Sequence, residues 1–409
     1  MKSIIIIGDG MSDRPVARLG GKTPLQVARK PAIDRIAREG RCGLFRNIRP
    51  GDDNGSALAN LAVLGYDPAA CYQGRAVLEA ANMGVALGPD DVALRCNLLH
   101  VTGDGRIKNH SAGHIGTAEA AQLIAALERD LGGARGSQPV TFHAGVSYRH
   151  LLVLRGAWAD TALACAEPHD HVGEKVEDLF PRATAPAAKA SEVRLRDLYR
   201  QALPILAAHP VNRARSGAGR DTANAIWPWS PGRKPAMQTF QERFGIRGAV
   251  ISAVDLINGL GRYAGMDVVR VPGATGLWDT NYEGKADAAL AALDDHDLVY
   301  VHVEASDEAA HACDLDLKIK CIEMLDARLV ARILDGLASR RCEATVAVLP
   351  DHPTPVETGK HASDPVPVAI RDPRRPPDAV AVYDEISVKA GALGMLEGDA
   401  FIRLALGRS

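Results

Sequence analysis

Three runs of consecutive apolar residues, each ending abruptly on an acidic or imidazole side chain, constrain this chain more than any other feature of it. Ile4 to Ile7 run into Gly8-Asp9-Gly10, Leu298 to Val303 into Glu304-Ala-Ser-Asp307, and Thr345 to Leu349 into Pro350-Asp351-His352. A β-branched run without polar alternation reads as a strand buried on both faces, the kind found in parallel sheets covered by helices. Helical patterns over Thr117–Leu131, Val193–His209, Lys285–Leu293 and Asp316–Ser339 supply the alternating helices. The reading is an α/β fold with a mostly parallel sheet. In such sheets the ligand crevice lies outside the carboxyl ends of the strands, so polar groups far apart in sequence converge if their strands are neighbours.

Residues from about 66 to 186 differ in texture, with short, turn-punctuated strands around Val92–Val101 and Ser147–Leu154. Pro181-Arg-Ala-Thr-Ala-Pro-Ala-Ala reads as a linker. The expected organisation is a core of residues 1–66 and 187–409, with a smaller α+β domain, residues 67–186, inserted in it.

Composition excludes several classes. With 48 Lys+Arg against 50 Asp+Glu in 409 residues, the formal charge is −2, so no bulk field favours nucleic acid or an anionic membrane. No stretch reaches the roughly 18 apolar residues of a membrane span, and the isoleucine run is interrupted well before signal-peptide length. The seven cysteines are scattered and never spaced C-x-x-C, which points to a reducing cytoplasm and away from thiolate zinc. Nothing in the sequence fixes an oligomeric state.

Asp307 and His311 stand four apart, which on a helix puts both on one face about 5–6 Å apart at Cβ. Taken singly, such a pair is commonly a surface feature, and Asp351-His352 at a turn is commonly a hydrogen-bonded pair. Together with Asp9 and with His361 in a Gly-Lys-His-Ala-Ser-Asp-Pro loop, they make six hard or borderline donors suited to Mn²⁺, Zn²⁺ or Mg²⁺. Ser56, in Gly51-Asp-Asp-Asn-Gly-Ser56, follows a strand over Gly43–Ile48 and opens an apolar helix. It reads either as a helix cap or as a hydroxyl placed to accept a phosphoryl group. Gly259-Leu-Gly261-Arg-Tyr-Ala264 satisfies G-x-G-x-x-A but ends a helical pattern, so it reads as a helix end and not a dinucleotide turn. Trp227 and Trp229 read as core. No P-loop pattern occurs.

The series Gly8-Asp9-Gly10, Gly55-Ser56, Asn60-Leu61, Leu64-Gly65-Tyr66-Asp67-Pro68, Asp307-x-x-x-His311, Asp351-His352 and His361 resembles the alkaline phosphatase superfamily. More closely, it is similar to the archaeal-type, 2,3-bisphosphoglycerate-independent phosphoglycerate mutases. Gly74-Arg75, Arg95-Cys96-Asn97, Val271-Pro-Gly-Ala-Thr-Gly276 and Asp279-Thr-Asn-Tyr-Glu-Gly-Lys285 support the match. The resemblance implies an alkaline-phosphatase-like three-layer core, a small phosphorylated substrate, an inserted domain that acts as a substrate lid on a hinge near 66–70 and 180–190, and two divalent ions: Mn²⁺, with Zn²⁺, Mg²⁺ or Co²⁺ as alternatives. It implies that Ser56 becomes phosphoserine, that Asp9, Ser56, Asp351 and His352 bind one ion, and that Asp307, His311 and His361 bind the other. The chain departs from the pattern at Ser56-Ala57, where the family commonly has Ser-Asp. It departs again at Asn109-His-Ser-Ala-Gly-His114, where the family has an arginine-rich block. Arg75, Arg95 and Arg149 are then the candidate substrate clamps. The 109–114 block and Asn224-Ala-Ile-Trp227 are similar to a bacterial subgroup proposed as homoserine kinases. The alternatives to a mutase are therefore a phosphotransferase acting on a small amino-alcohol, a metal-dependent phosphomonoesterase, or a metal-binding protein without turnover.

Overall fold

The computed structural model describes residues 2–49, 51, 55–133 and 138–408. The chain divides into two compact units, Met1–Tyr72 with Ala236–Ser409, and Gln73–Pro235.

The first unit is built on an eight-stranded sheet. Its order is Asp267–Val268, Gly248–Ile251, Leu298–Val303, Lys2–Gly8, Ala344–Leu349, Val366–Arg371, Arg41–Arg46, Gly394–Glu397. Val366–Arg371 alone runs against the rest, so the sheet is mostly parallel. The three apolar runs are adjacent: Ile7 is in register with His302 on one side and Leu349 on the other. That register brings the loops after them to the same edge.

Side chains alternate across the sheet. Ile4, Ile6, Val299, Val301, Val346 and Val348 pack into one cluster with the helices Pro31–Arg38, Tyr282–Ala292, Leu315–Met324 and Ala331–Ser339. The opposite face carries the Ser56–Val63 and Ala400–Ala405 helices, which it meets through Tyr300 to Asn60 and through the stacked rings of Phe45 and Phe401. Helices on both faces make three layers. The segment read as one helix over Asp316–Ser339 opens into a π-helical stretch, Leu325–Val330, where buried Asp326 accepts the Ile33 N–H at 2.7 Å.

The second unit has an antiparallel sheet in which Val92–Val101 pairs with Ile107–Asn109, Arg149–Leu154 and Ala225–Arg233, and Arg149–Leu154 pairs with Val140–His143. The Thr117–Leu131 and Lys189–Ala208 helices contribute Leu123, Leu127, Leu195, Leu198 and Leu206 to its core. Its limits therefore differ from 67–186. The Pro181–Ala188 stretch is no linker: it contains the strand Arg182–Ala183, paired with Leu163–Ala164, and a 3-10 turn at Pro186–Ala188. The unit ends only after Ala225–Arg233, because that strand completes the sheet on Val92–Val101. At the other limit the Pro68–Cys71 helix stays with the first unit.

Candidate active site

Asp9 leaves the end of the Lys2–Gly8 strand with its N–H donating to Val303 O at 2.9 Å. The next residue, Gly10, has φ +60°, and a Cβ there would stand 2.4 Å from Asp307 Oδ1. Glycine is what allows the two acidic loops to approach. Asp351 Oδ1 accepts N–H groups from Gly10 at 3.3 Å and His352 at 2.9 Å, while Oδ2 accepts from Asn60 Nδ2 at 2.8 Å. His352 Nε2 lies 3.5 Å from both Asp9 Oδ1 and Asp351 Oδ2. Asp9, Asp351 and His352 are all buried.

Ser56 is the first residue of its helix, Gly55 is the N-cap, and no side chain caps that end. The serine is therefore free of the capping role the sequence left open, and its Oγ stands 3.0 Å from His352 Nε2. Asn60, one turn on, ties the Ser56 carbonyl to Asp351 by donating to both at 2.8 Å. Tyr300 donates to Asn60 Oδ1 from the sheet below. Positions 52–54 of the loop singled out before Ser56 lie outside the described residues.

The second cluster forms beside the first. In the Ala305–His311 helix, Asp307 Oδ2 lies 3.0 Å from His311 Nε2, and Asp307 Oδ1 lies 3.6 Å from His361 Nε2. The two Nε2 atoms are 3.0 Å apart. His311 Nδ1 donates to Gly359 O at 2.8 Å, which turns Nε2 toward Asp307. Thr354 links the clusters: its hydroxyl donates to Asp307 Oδ1 at 2.6 Å and lies 3.1 Å from His352 Nδ1. The His352 and His361 rings stack at 3.8 Å.

Burial, with Asp351 and Asp307 adding to it, pushes the Asp9 carboxyl well above its ordinary value. Asp307 is pulled below the usual carboxylate range: burial opposes this, but His311 and His361 outweigh it. The Asp307 bond lifts His311 to about 9. Nearby, burial raises Glu304 to about 7 and lowers Lys285 to about 8. Acidic groups crowded out of water beside imidazoles suit bound cations. Asp9 Oδ1 is buried without a hydrogen-bond partner among the described residues. The ligating atoms of Asp9, Asp351 and His352 lie within 4.8 Å of one another, as do those of Asp307, His311 and His361. Asp9, Asp351 and His352 are three of the four residues the family resemblance implies for one ion, with Ser56 as the fourth, and Asp307, His311 and His361 are those it implies for the other; the oxygen and imidazole donors fit divalent ions of the Mn²⁺, Zn²⁺ and Mg²⁺ class.

The candidate arginines belong to the second unit. Arg95 is buried, 3.1 Å from Glu79 and 4.3 Å over the Trp229 ring, and Arg75 lies 3.7 Å from Glu79. Burial holds the Arg95 pKa below its ordinary value; Glu79 opposes this, while Arg75 and Arg149 reinforce it, so the three guanidinium groups share one region of that unit. Arg149 lies over Tyr148, beside which His110 and His114 also pack. Gly259 and Gly261 sit inside the Asp255–Tyr263 helix, where a Cβ on Gly261 would meet Val250 Cγ1 at 2.5 Å, so that motif serves packing. Trp227 is core, its Nε1 donating to Ala166 O at 2.9 Å.

Sequence reasoning passed over four residues behind the ligands: His302, which meets Asp9, and Tyr300, Ser252 and Thr354. Tyr300 and His302 sit at i and i+2 in an apolar strand, and that spacing was the available signal.

A three-layer α/β core with two adjacent candidate metal-binding clusters of oxygen and imidazole donors at the carboxyl edge of its sheet, and a helix-start hydroxyl beside one of them, is the architecture of a metal-dependent enzyme. A family model described as 2,3-bisphosphoglycerate-independent phosphoglycerate mutase matches residues 37–212. A protein of that name from Methanosarcina barkeri is 48% identical over 404 residues, covering 98% of each chain. Another from Methanothrix thermoacetophila is 47% identical over 406 residues, covering 99% of this chain and 100% of its own. Among solved structures, the PH0037 protein from Pyrococcus horikoshii superposes with a TM-score of 0.82 at 29% identity, covering 100% of this chain and 98% of that one. The cofactor-independent phosphoglycerate mutase from Thermoplasma acidophilum superposes with a TM-score of 0.73 at 29% identity, covering 100% and 99%. The chain belongs to the 2,3-bisphosphoglycerate-independent phosphoglycerate mutase family. Among the described residues no helix is long and apolar enough to cross a membrane.

Proposed function

We propose that this chain interconverts 3-phosphoglycerate and 2-phosphoglycerate, independently of 2,3-bisphosphoglycerate, through a phosphoserine at Ser56. The observation that carries the reading is the Ser56 hydroxyl, uninvolved in capping, 3.0 Å from His352 Nε2 at the edge of the Asp9, Asp351 and His352 set. The names of relatives at 47–48% identity over nearly the whole chain support it.

Divalent ions, with Mn²⁺ proposed, would be held by Asp9, Ser56, Asp351 and His352 and by Asp307, His311 and His361; when bound they supply the charge that favours the Ser56 alkoxide and neutralises phosphate oxygens. Ser56 Oγ forms the new bond to phosphorus as the bond from phosphorus to the substrate O3 breaks. The return step forms the bond to O2 and frees Ser56. The helix N–H groups beside Ser56 favour the transferred anion. Arg75, Arg95 and Arg149 are proposed to hold the substrate's carboxylate. The reading places the protein in a reducing cytoplasm, which suits its free cysteines.

An enolase-coupled assay on Mn²⁺-loaded protein with 3-phosphoglycerate tests this. Turnover that needs no added bisphosphoglycerate is the expected result, whereas release of free phosphate alone means a phosphomonoesterase. His110 and His114, at positions where arginines would meet an anionic acceptor, favour as second reading a phosphotransferase acting on a small amino-alcohol such as homoserine. Homoserine-dependent ATP consumption without mutase turnover establishes that one.

A further inference from the structure

We infer that His302 is a positioning residue for the first ion: it holds Asp9 Oδ2 by a hydrogen bond and so makes Oδ1 the oxygen that faces the metal. The inference rests on the two-ion reading above and deepens it.

His302 is fully buried in the Leu298–Val303 strand, in register with Ile7, two residues before Asp9. Its Nε2 lies 3.0 Å from Asp9 Oδ2, and its Nδ1 lies 3.3 Å from Ser252 Oγ. A metal-ligating Asp9 carboxylate can only accept a hydrogen bond, so its partner Nε2 carries the proton and Nδ1 is left to accept. The Val254 N–H donates to Ser252 Oγ at 3.0 Å, leaving the Ser252 hydroxyl proton free to go to His302 Nδ1. Nδ1 is then the acceptor and Nε2–H the donor to Asp9. The histidine backbone is pinned in turn, because Lys285 Nζ donates to His302 O at 3.0 Å.

Asp9 itself is fixed on every side but one. Its N–H donates to Val303 O, its carbonyl accepts the Ser306 hydroxyl at 2.6 Å, and Oδ2 accepts from His302. Among the described residues Oδ1 is buried without a hydrogen-bond partner, 3.5 Å from His352 Nε2. Without the His302 bond the Asp9 carboxylate is free to turn, and Oδ1 would leave the side that faces Asp351 and His352. The buried imidazole N–H holds that orientation from within the sheet. Hydrogen bonds to ligating carboxylates of this kind act on metal affinity.

The test is calorimetric titration of the chelator-stripped full chain with Mn²⁺, paired with thermal unfolding of the metal-free protein. In His302→Leu, one of the two Mn²⁺ sites should weaken by about 10–100-fold while the other is unchanged. His302→Gln, whose amide N–H can reach the place of Nε2, should recover most of that loss at equal metal-free stability. Ser252→Ala should weaken the same site by less. Mn²⁺ binding by His302→Leu as tight as wild type at both sites overturns the inference, as does His302→Gln no better than His302→Leu. If His302→Leu does not fold, unchanged Mn²⁺ affinity in Ser252→Ala overturns it alone. Wild-type protein that binds fewer than two Mn²⁺ ions defeats the two-ion reading itself, a result distinct from failure of the His302 role.

Discussion

Ser56 Oγ lies 3.0 Å from His352 Nε2, although Ser56 opens a helix and His352 comes just after a strand almost three hundred residues later. Gly55 takes the N-cap position, so the serine side chain makes no cap and meets the imidazole instead. A cap would have turned the hydroxyl to a backbone N–H and away from His352.

Ser56→Ala should lower turnover by about 10⁴-fold or more, the scale seen when a nucleophile is removed. Mn²⁺ binding should persist, because Asp9, Asp351 and His352 keep their own partners. Phosphopeptide mass spectrometry after incubation with 3-phosphoglycerate should find modified Ser56 in the wild type and none in the variant. Substantial residual turnover would show that the nucleophile is another group.

Gly10→Ala tests the approach of the two acidic loops. The added Cβ would collide with Asp307 Oδ1 at 2.4 Å, in a backbone region that L side chains adopt only under strain. Asp307 is the carboxylate shared by His311 and His361, so its displacement should weaken Mn²⁺ at that cluster by about 10–100-fold, the scale of disturbed ligand positioning. Titration of the metal-free variant is the measurement, and affinity equal to wild type at both sites would contradict the contact.

The three central strands and the candidate ligands near their ends are legible in the amino-acid order because each apolar run gives way to acidic or imidazole side chains. A side chain just past such a run lies at the carboxyl edge of the sheet whatever the details of packing. His302 and Tyr300 were illegible for the converse reason. Within a buried run a polar-tipped side chain looks like core, and only the partners across the sheet, Asp9 and Asn60, give it a role. The limit of the second unit left no local mark either. Ala225–Arg233 belongs there through pairing with Val92–Val101, a contact between strands more than a hundred residues apart, while the Pro and Ala of 181–188 imitate a linker. Ser56 was ambiguous because one-dimensional spacing does not say whether Gly55 or Ser56 occupies the cap.

Tyr300→Phe should cost the first unit about 1–3 kcal/mol, the usual consequence of leaving a buried acceptor unpaired. The acceptor is Asn60 Oδ1, and its loss frees the amide that bridges Ser56 O and Asp351. Urea unfolding of the metal-free protein measures the first effect. A lower kcat at unchanged fold content measures the second. A variant with wild-type stability and kcat would show that Asn60 is held by Asp351 alone.

Acid should loosen the second unit through His150. This imidazole is buried in the Arg149–Leu154 strand, its Nδ1 accepts the Gly145 N–H at 3.0 Å, and its Nε2 has no partner among the described residues. Burial therefore lowers its pKa from 6.5 to about 4. Between those values the unfolded chain binds a proton that the folded chain does not. Stability then rises with pH across the window: it is complete above about 6.5 and is lost on acidification toward 4. A shift of that size corresponds to about 3 kcal/mol at full extent. Trp158, Trp227 and Trp229, three of the chain's four tryptophans, lie in this unit, so tryptophan fluorescence reports its unfolding. The urea midpoint should fall from pH 7 to pH 4.5 in the wild type. It should fall less in His150→Asn, whose amide oxygen can still accept the Gly145 N–H but does not titrate. Parallel curves for the two proteins would assign the acid sensitivity to other groups.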